Sequence, residues 1–219
     1  QLAEMVNQDM MPWVLPRGSE DEPKATVMNA ILTYSWDISK SNVALFHMVK
    51  DALIFGTAIG MEYFWKEPRT IKVGKKEEQI LEFDDSYLLP IRLVDFYVDE
   101  RAQSFSGPAG AKDCIWRNIM DYDDFRNFFR GDVWDPLGNA NIVKPGGDTN
   151  YYERYAPPER LDHSHEVEVL WYWSKSEDKF IVVANDVVVR NEANPYRHKQ
   201  LPFVRVIDVH RPYQFYGKG

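Results

Sequence analysis

Cysteine is nearly absent from this sequence of 219 residues, in which Cys114 is the only one. A single thiol cannot form an internal disulfide, and this composition is typical of a reducing compartment such as the cytoplasm. A catalytic thiol would have histidine or basic residues nearby, whereas Cys114 opens the strand-like run CIWRNIM. Because free cysteine usually behaves as a small hydrophobe, Cys114 is predicted to be a buried structural residue.

Long apolar runs are also missing. No stretch approaches the ~20 uninterrupted apolar residues of a membrane span, so no membrane partner is predicted. The opening stretch QLAEMVNQDMMPWVLPRGSEDEP has neither the basic start nor the apolar centre of a signal peptide. Because the chain begins with Gln1 and not with Met, we expect a processed protein or an excerpt of a longer one.

Positive charge is in deficit. The chain has 26 Lys and Arg residues against 34 Asp and Glu residues, a formal net charge of −8. Broad affinity for nucleic acid comes from neutralising phosphates with Lys and Arg, so this balance argues against it. It is compatible with a local basic patch, and with a surface that nucleic acid passes without binding.

Catalytic and nucleotide-binding motifs are not found. The terminal triplet of residues 217–219, GKG, has no glycine at the P-loop spacing and no Ser or Thr after Lys218. No nucleophile elbow, Ser-His-Asp pattern or Cys-His pattern is present. The sequence therefore predicts no catalytic residue, no cofactor-binding residue and no metal ligand, and the chain is not expected to be an enzyme.

Two patterns keep an enzymatic alternative open. His163 and His165 alternate in the stretch DHSHE, which supplies half of a metal site without a third ligand. The acidic clusters FDDSY, YVDER and DYDD could supply a carboxylate pair for acid–base chemistry, although acids at loop ends and helix starts are common for capping reasons alone. The alternative is a metal- or carboxylate-dependent hydrolase.

The first half of the chain has helical periodicity. After a loose lead-in over 1–22, Pro23 is suited to the first turn of a helix that runs to about Trp36. The residues at helical spacing in this helix are Ala25, Met28, Ile31, Leu32 and Ser35. A second helix is predicted from a Ser41 or Asn42 cap to Gly56, where the chain can adopt the left-handed conformation. Its predicted apolar face consists of Leu45, Met48, Val49, Ala52 and Leu53.

Strand patterns follow these helices. TAIGMEYFW reads as a strand, and residues 66–79 read as a charged hairpin-like insertion with Gly74 at the turn. Further strand-like stretches are broken at Pro90. In DYDDFRNFFRGD, Asp121 is suited to cap a short helix with an apolar face of phenylalanines, and Gly131 to end it.

The last third is rich in strands. Residues 131–161 form a long Gly-, Pro- and Asn-containing loop, taken as the boundary between a helix-plus-strand part at 23–130 and a β-meander at 162–219. In HEVEVLWYW, alternation sends Trp171 and Trp173 to one face and Tyr172 to the other. The order of elements predicts an α+β fold with N-terminal helices, antiparallel or mixed strands, a short helix and a C-terminal meander.

Four segments, taken in order, resemble the portal (head-to-tail connector) proteins of tailed bacteriophages. These segments are VKDALIFGTAIGMEYFW at 49–65, VDFYVDERA at 94–102, CIWRNIMDYDDFRNFF at 114–129, and the strand-rich stretch 166–219 with its Asn-Pro, Leu-Pro-Phe and Phe-Tyr-Gly-x-Gly features. The order and spacing of the segments carry the resemblance, since none is a strict motif. Together they cover most of residues 25–219.

The resemblance implies a structural role in a virion. A portal is a homo-oligomeric ring, commonly of twelve subunits, at one capsid vertex, and DNA passes through it during packaging and ejection without sequence recognition. Its partners are the major capsid or scaffolding protein, the terminase and the neck or tail proteins, and assembly takes place in the host cytoplasm. Portal chains continue past the equivalent of FYGKG into channel-lining helices, so this chain resembles a wing-region fragment that ends in a hinge at GKG.

A third class stays open beside the portal and hydrolase interpretations. Seven tryptophans, together with strands, could also belong to a β module that binds a carbohydrate or another ligand through exposed aromatic rings. The N-terminal helices speak against this class.

Overall fold

A computed structural model of the chain describes residues 11–73, 76–130, 134–146 and 165–219, and side chains within these ranges outside 65–84. The fold is α+β, as predicted. The described residues contain three α-helices, and their strands form two antiparallel sheets of three and five strands. No helix in the described ranges is both long and apolar enough to cross a membrane.

The described residues divide into two compact units. Unit 1 contains the residues up to Leu93 together with Pro202–Gly219, and unit 2 is Val94–Leu201. This division differs from the one expected at 131–161, most of which lies outside the described residues. The strands on either side of that stretch pair with each other, and the last strand of the chain returns to the first sheet.

Unit 1 begins with two helices, α1 (Glu22–Ile38) and α2 (Ser41–Phe55). Pro23 lies in the first turn of α1, as predicted from its fixed φ and missing N–H. The predicted Ser41 or Asn42 cap on α2 is wrong, because Lys40 takes the N-cap position in a left-handed conformation and no side chain caps the helix. The predicted end at Gly56 is confirmed, with φ at +82°.

The sheet of unit 1 contains β1 (Thr57–Val73), β2 (Lys76–Ile91) and β8 (Phe203–Ile207), in the order β2-β1-β8. β1 and β2 pair antiparallel from Ile59–Ile91 out to Val73–Lys76, which confirms the predicted hairpin; its connection at 74–75, with Gly74, lies outside the described residues. Pro90 does not break β2. It pairs with Gly60 on an edge strand, where a missing N–H is tolerated.

One core cluster of unit 1 lies between α2 and its sheet. Met48 and Ala52 of α2 pack on Ala58 of β1, with Leu88 and Val206 partly buried against them. A Cβ on Gly60 would lie 2.8 Å from the Met48 thioether, so glycine allows the helix to approach the strand.

Unit 2 is built on a five-stranded antiparallel sheet in the order β3-β4-β5-β6-β7. Its strands are β3 (Phe96–Val98), β4 (Asp113–Asp121), β5 (Glu166–Ser174), β6 (Lys179–Ala184) and β7 (Val187–Ala193). The predicted β5–β6–β7 meander is confirmed. Asn185 and Asp186 join β6 to β7 with φ values of 40° and 65°, as two-residue hairpin turns of the primed type require.

A short helix, α3 (Tyr122–Phe128), follows β4 directly. The predicted cap is confirmed, because the Asp121 side chain accepts a hydrogen bond of 2.9 Å from the backbone N–H of Asp123. Phe125 and Phe129 are buried, as the pattern predicts. The helix ends before Gly131, which lies outside the described residues.

The prediction that the meander continues to the end of the chain is wrong for its last strand. β8 pairs with β1 through Thr57–Ile207 to Met61–Phe203, not with β7. The short alternating pattern of β8 predicts a strand but contains no information on which sheet edge it joins. In the structure that edge is the one on β1.

Candidate functional site

Helix α1 has two apolar faces. Ala25 is buried, and Leu32 and Trp36 are partly buried. Another row of large apolar side chains, called here the α1 stripe, faces solvent at spacings of four, three and four residues; its exposed fractions are 58%, 60%, 62% and 41% for Val27, Ile31, Tyr34 and Ile38. Because a helix has 3.6 residues per turn, these four side chains share one side of it.

The α1 stripe is the clearest candidate for an interaction surface on unit 1. Single exposed apolar residues are ordinary on protein surfaces, whereas contiguous apolar patches mark contact sites. The helical spacing in the sequence predicted that Met28 and Ile31 share an apolar face with Ala25 and Leu32. The structure places them on the solvent side, with Met28 52% exposed.

The predicted acidic clusters serve local structure. In FDDSY, the Asp85 carboxylate accepts hydrogen bonds of 2.7 Å from the Ser35 hydroxyl and from the backbone N–H of Ser86. In YVDER, Asp99 accepts from the backbone N–H of Arg101 at 3.0 Å. In DYDD, Asp121 caps α3. These contacts are the capping and turn roles that acids at loop ends commonly play.

The proposed metal ligands are not brought to a cluster in the described structure. His163 lies outside the described residues, and His165 is exposed immediately before β5. Within the ranges that the structure describes, no group of three or more His, Cys, Asp or Glu residues is placed to hold a metal ion.

The two tryptophans of β5 face the interior of unit 2. Trp171 and Trp173 are 5% and 1% exposed, and Tyr172 on the opposite face donates a 3.1 Å hydrogen bond to the Asp113 carboxylate. The Trp171 ring stacks on Trp116, with ring centroids 5.7 Å apart. A ligand-binding module would expose such rings, whereas these two tryptophans form the core.

Arg190 is enclosed by this aromatic core. Its guanidinium lies 4.9 Å from the Trp134 ring centroid and 5.2 Å from that of Phe180, and its Nη2 is 2.6 Å from the Glu192 carboxylate. A buried cation needs such partners because desolvation would otherwise disfavour it. The contact with Trp134 holds the segment after α3 against the sheet, so the burial of Arg190 is explained by a structural role.

An open, polar cavity of about 710 Å³ lies beside α3. Arg126, Arg130, Asp123 and Asp135 are among the side chains that line it. Both oxygens of Asp135 accept backbone hydrogen bonds of 2.9 Å, from Asn139 and Ala140, so this carboxylate is occupied with holding its own loop. No His, Cys, Ser or Thr is among the described residues of the lining, so the cavity offers no nucleophile with an adjacent base.

Cys114 is buried, as predicted. Burial raises the pKa of its thiol, and the nearby Asp113 and Asp99 carboxylates raise it further. A thiol with a raised pKa is mostly protonated and therefore a poor nucleophile.

The terminal GKG is held against the junction of α2 and β1. The backbone N–H of Gly217 donates to the Thr57 hydroxyl at 2.7 Å, and Lys218 exchanges two backbone hydrogen bonds with Val209. A Cβ on Gly56 would lie 2.5 Å from the backbone of Lys218 and Gly219. The predicted flexible hinge is therefore a packed corner within unit 1, where glycines let two backbone segments meet.

Sequence reasoning missed the α1 stripe and the Arg190 enclosure. The stripe had a signal, since α1 carries two sets of apolar residues at helical spacing and a surface helix needs only one. The Arg190 enclosure had none, because Trp134 is distant along the chain. Compared with known proteins, the chain matches no protein-family model and no curated protein.

Proposed function

We propose that the chain is the wing region of a phage portal subunit, a structural component of a ring at one capsid vertex through which DNA is packaged and ejected. The observation that carries the proposal is the ordered series of portal-like segments, from VKDALIFGTAIGMEYFW to the closing FYGKG. In the described structure the first of these segments is a helix that ends at Gly56 and passes directly into β1.

The surface of unit 1 supports an assembly role. The α1 stripe and the apolar end of α2, where Ile54 and Phe55 are 57% and 60% exposed, would be covered if subunits or a capsid protein packed against them. Under this proposal the major capsid or scaffolding protein is a partner, and the terminase and neck or tail proteins bind elsewhere on the whole subunit.

The test is the assembly state of the full-length protein. We expect light scattering to give the mass of a closed ring of about twelve copies, and electron microscopy to show rotational symmetry. Antibody labelling of virions should then mark one vertex of the capsid. A protein that stays monomeric at high concentration, or a ring that is absent from the virion, would contradict the proposal.

Metal analysis of the same preparation separates this proposal from the hydrolase alternative. Stoichiometric zinc or manganese, lost on replacing His163 and His165 with alanine, would favour the hydrolase and count against a purely structural role. Metal at trace levels in an assembled ring is the result expected for a portal.

A further inference from the structure

Strands β1 and β2 continue well past the third strand of their sheet. β8 pairs only with Thr57–Met61 of β1, whereas β1 and β2 pair with each other as far as Val73 and Lys76. Residues 65–73 and 76–84 therefore form a two-stranded ribbon, called here the hairpin arm. At about 3.3 Å per residue the arm extends for roughly 30 Å.

Among the described residues, no neighbouring strand covers either edge of the hairpin arm. In the part of the chain that the structure describes, β1 and β2 of the arm pair with each other and with no third strand. An isolated two-stranded ribbon is at best marginally stable in water, and its edges are templates for contact with another chain. An arm of this length is therefore expected to be stabilised by a partner.

The two strands of the arm differ in charge. The β1 strand, WKEPRTIKV at 65–73, has three basic residues and one acidic residue, a net charge of +2. The β2 strand, KEEQILEFD at 76–84, has one basic residue and four acidic residues, a net charge of −3. One edge of the ribbon is consequently formed by a basic strand and the other by an acidic strand.

This asymmetry selects among the ways in which two copies can meet. A two-fold contact through β1 edges or through β2 edges would bring like charges together, which is unfavourable. A contact between the β1 edge of one copy and the β2 edge of the next brings opposite charges together. Such a head-to-tail contact repeats from copy to copy and closes into a ring when the rotation allows it.

We propose that the hairpin arm is a subunit contact, in which the basic β1 edge of one copy docks on the acidic β2 edge of its neighbour. The inference rests on the proposed ring and names one of the contacts that hold it. Pro68, at a register shift in β1, lacks an N–H and interrupts any continuous backbone ladder along that edge. Charge therefore selects the neighbouring edge, and the contact weakens as salt rises.

The test uses matched charge reversals in the full-length protein. One variant combines Lys66→Glu, Arg69→Glu and Lys72→Glu, so that both strands are acidic. The other combines Glu77→Lys, Glu78→Lys and Glu82→Lys, so that both strands are basic. Each variant alone should associate at least about tenfold more weakly than the natural chain, measured by analytical ultracentrifugation at low salt, because like edges then face each other.

Mixing the two variants is the decisive measurement. In an equimolar mixture every acidic arm can lie between two basic arms, so ring formation should return. A single chain that carries all six reversals should also assemble alone, because its edges again have opposite charge. Circular dichroism of each variant checks that the chain stays folded.

The mixture also separates the contact from the stability of the hairpin itself. Within one copy, the acidic variant places like charges at the paired register positions Lys66–Asp84 and Lys72–Glu77, and the basic variant does so at Lys72–Glu77. Mixing cannot relieve that repulsion. Failure of the mixture to assemble would overturn the arm contact. Variants that form rings as well as the natural chain does would also overturn it and leave the portal proposal standing, whereas a natural chain that forms no ring would contradict both.

Discussion

Units 1 and 2 differ in how many of their large apolar side chains they bury. Unit 2 buries large aromatic side chains in one cluster, with Phe125, Trp173 and Phe180 at most 3% exposed. In unit 1 a cluster of Met48, Ala52 and Ala58 is buried, and the buried aromatic side chains among its described residues are Phe203 and Phe215. Of the 21 large apolar side chains that are exposed among the described residues, 16 belong to unit 1 and five to unit 2.

The difference indicates what each unit requires for stability. Burying a large aromatic side chain contributes a few kcal/mol, so unit 2 has a core that can stabilise it. Unit 1 leaves much of its apolar surface in solvent and extends a hairpin arm whose described residues pair with no third strand. We infer that unit 1 is the part of the chain that contacts partners.

The largest expected effect comes from opening the core of unit 2. Trp173→Ala removes a ring that stacks on Phe180 with centroids 4.9 Å apart, and should lower the free energy of unfolding of unit 2 by about 3–5 kcal/mol. Trp13→Ala is the matched control: Trp13 is 65% exposed, so its loss should change stability by less than about 0.5 kcal/mol. Urea unfolding followed by circular dichroism measures both, and equal effects would refute the role of Trp173 in the core of unit 2.

A smaller effect is expected at the corner of unit 1 where GKG meets the end of α2. In Gly56→Ala the new Cβ must occupy a left-handed conformation and also contact the backbone of Lys218 and Gly219, so unfolding should become easier by about 2–4 kcal/mol. The control is Gly107→Ala, with φ at +87° and nothing within 4 Å of the added Cβ.

This control isolates the backbone cost alone, which is about 1–2 kcal/mol. Thermal unfolding of the two variants, compared with the natural chain, gives the difference. If Gly56→Ala costs no more than Gly107→Ala, the packed corner contributes nothing and a flexible hinge at GKG becomes the better description.

The smallest effect on stability is expected at the α1 stripe. Ile31→Glu replaces a side chain that is 60% exposed, so the free energy of unfolding should change by less than about 0.5 kcal/mol. Association of the full-length protein should nevertheless weaken, because the charge would be buried at a contact. Thr33→Glu adds the same charge at an exposed position outside the stripe and should leave association unchanged. Equal masses of the two variants in light scattering would argue against the stripe as a contact surface.

The sequence predicted the helices and strands of this fold better than it predicted which strands pair with each other. Gly56 and Asp121 mark helix ends through local backbone chemistry, and both were correct because the residues that decide them lie within one turn. The partner of β8 and the inclusion of Pro90 in an edge strand were not predicted. Both depend on strand pairing between residues far apart in the chain, and alternation specifies a face but not a neighbour.

The candidate surface was predictable only in part. The helical spacing of the apolar residues of α1 can be recognised in the sequence. Met28 and Ile31 were nevertheless predicted on the buried face, whereas both are exposed. The side that faces β2 is chosen by contacts such as Ser35 with Asp85, 50 residues later. A helix with two apolar faces does not reveal from periodicity alone which one is buried.

The sequence by itself determined the α+β class, the hairpin, the meander and the opposite charges of the two strands in the arm, because periodicity, turn residues and charge are local properties. Only the tertiary structure decided that GKG closes onto Gly56 and that Arg190 lies between Trp134 and Phe180. It also decided which face of α1 is left in solvent. These features depend on how the helices and strands pack against one another, which local sequence patterns do not specify.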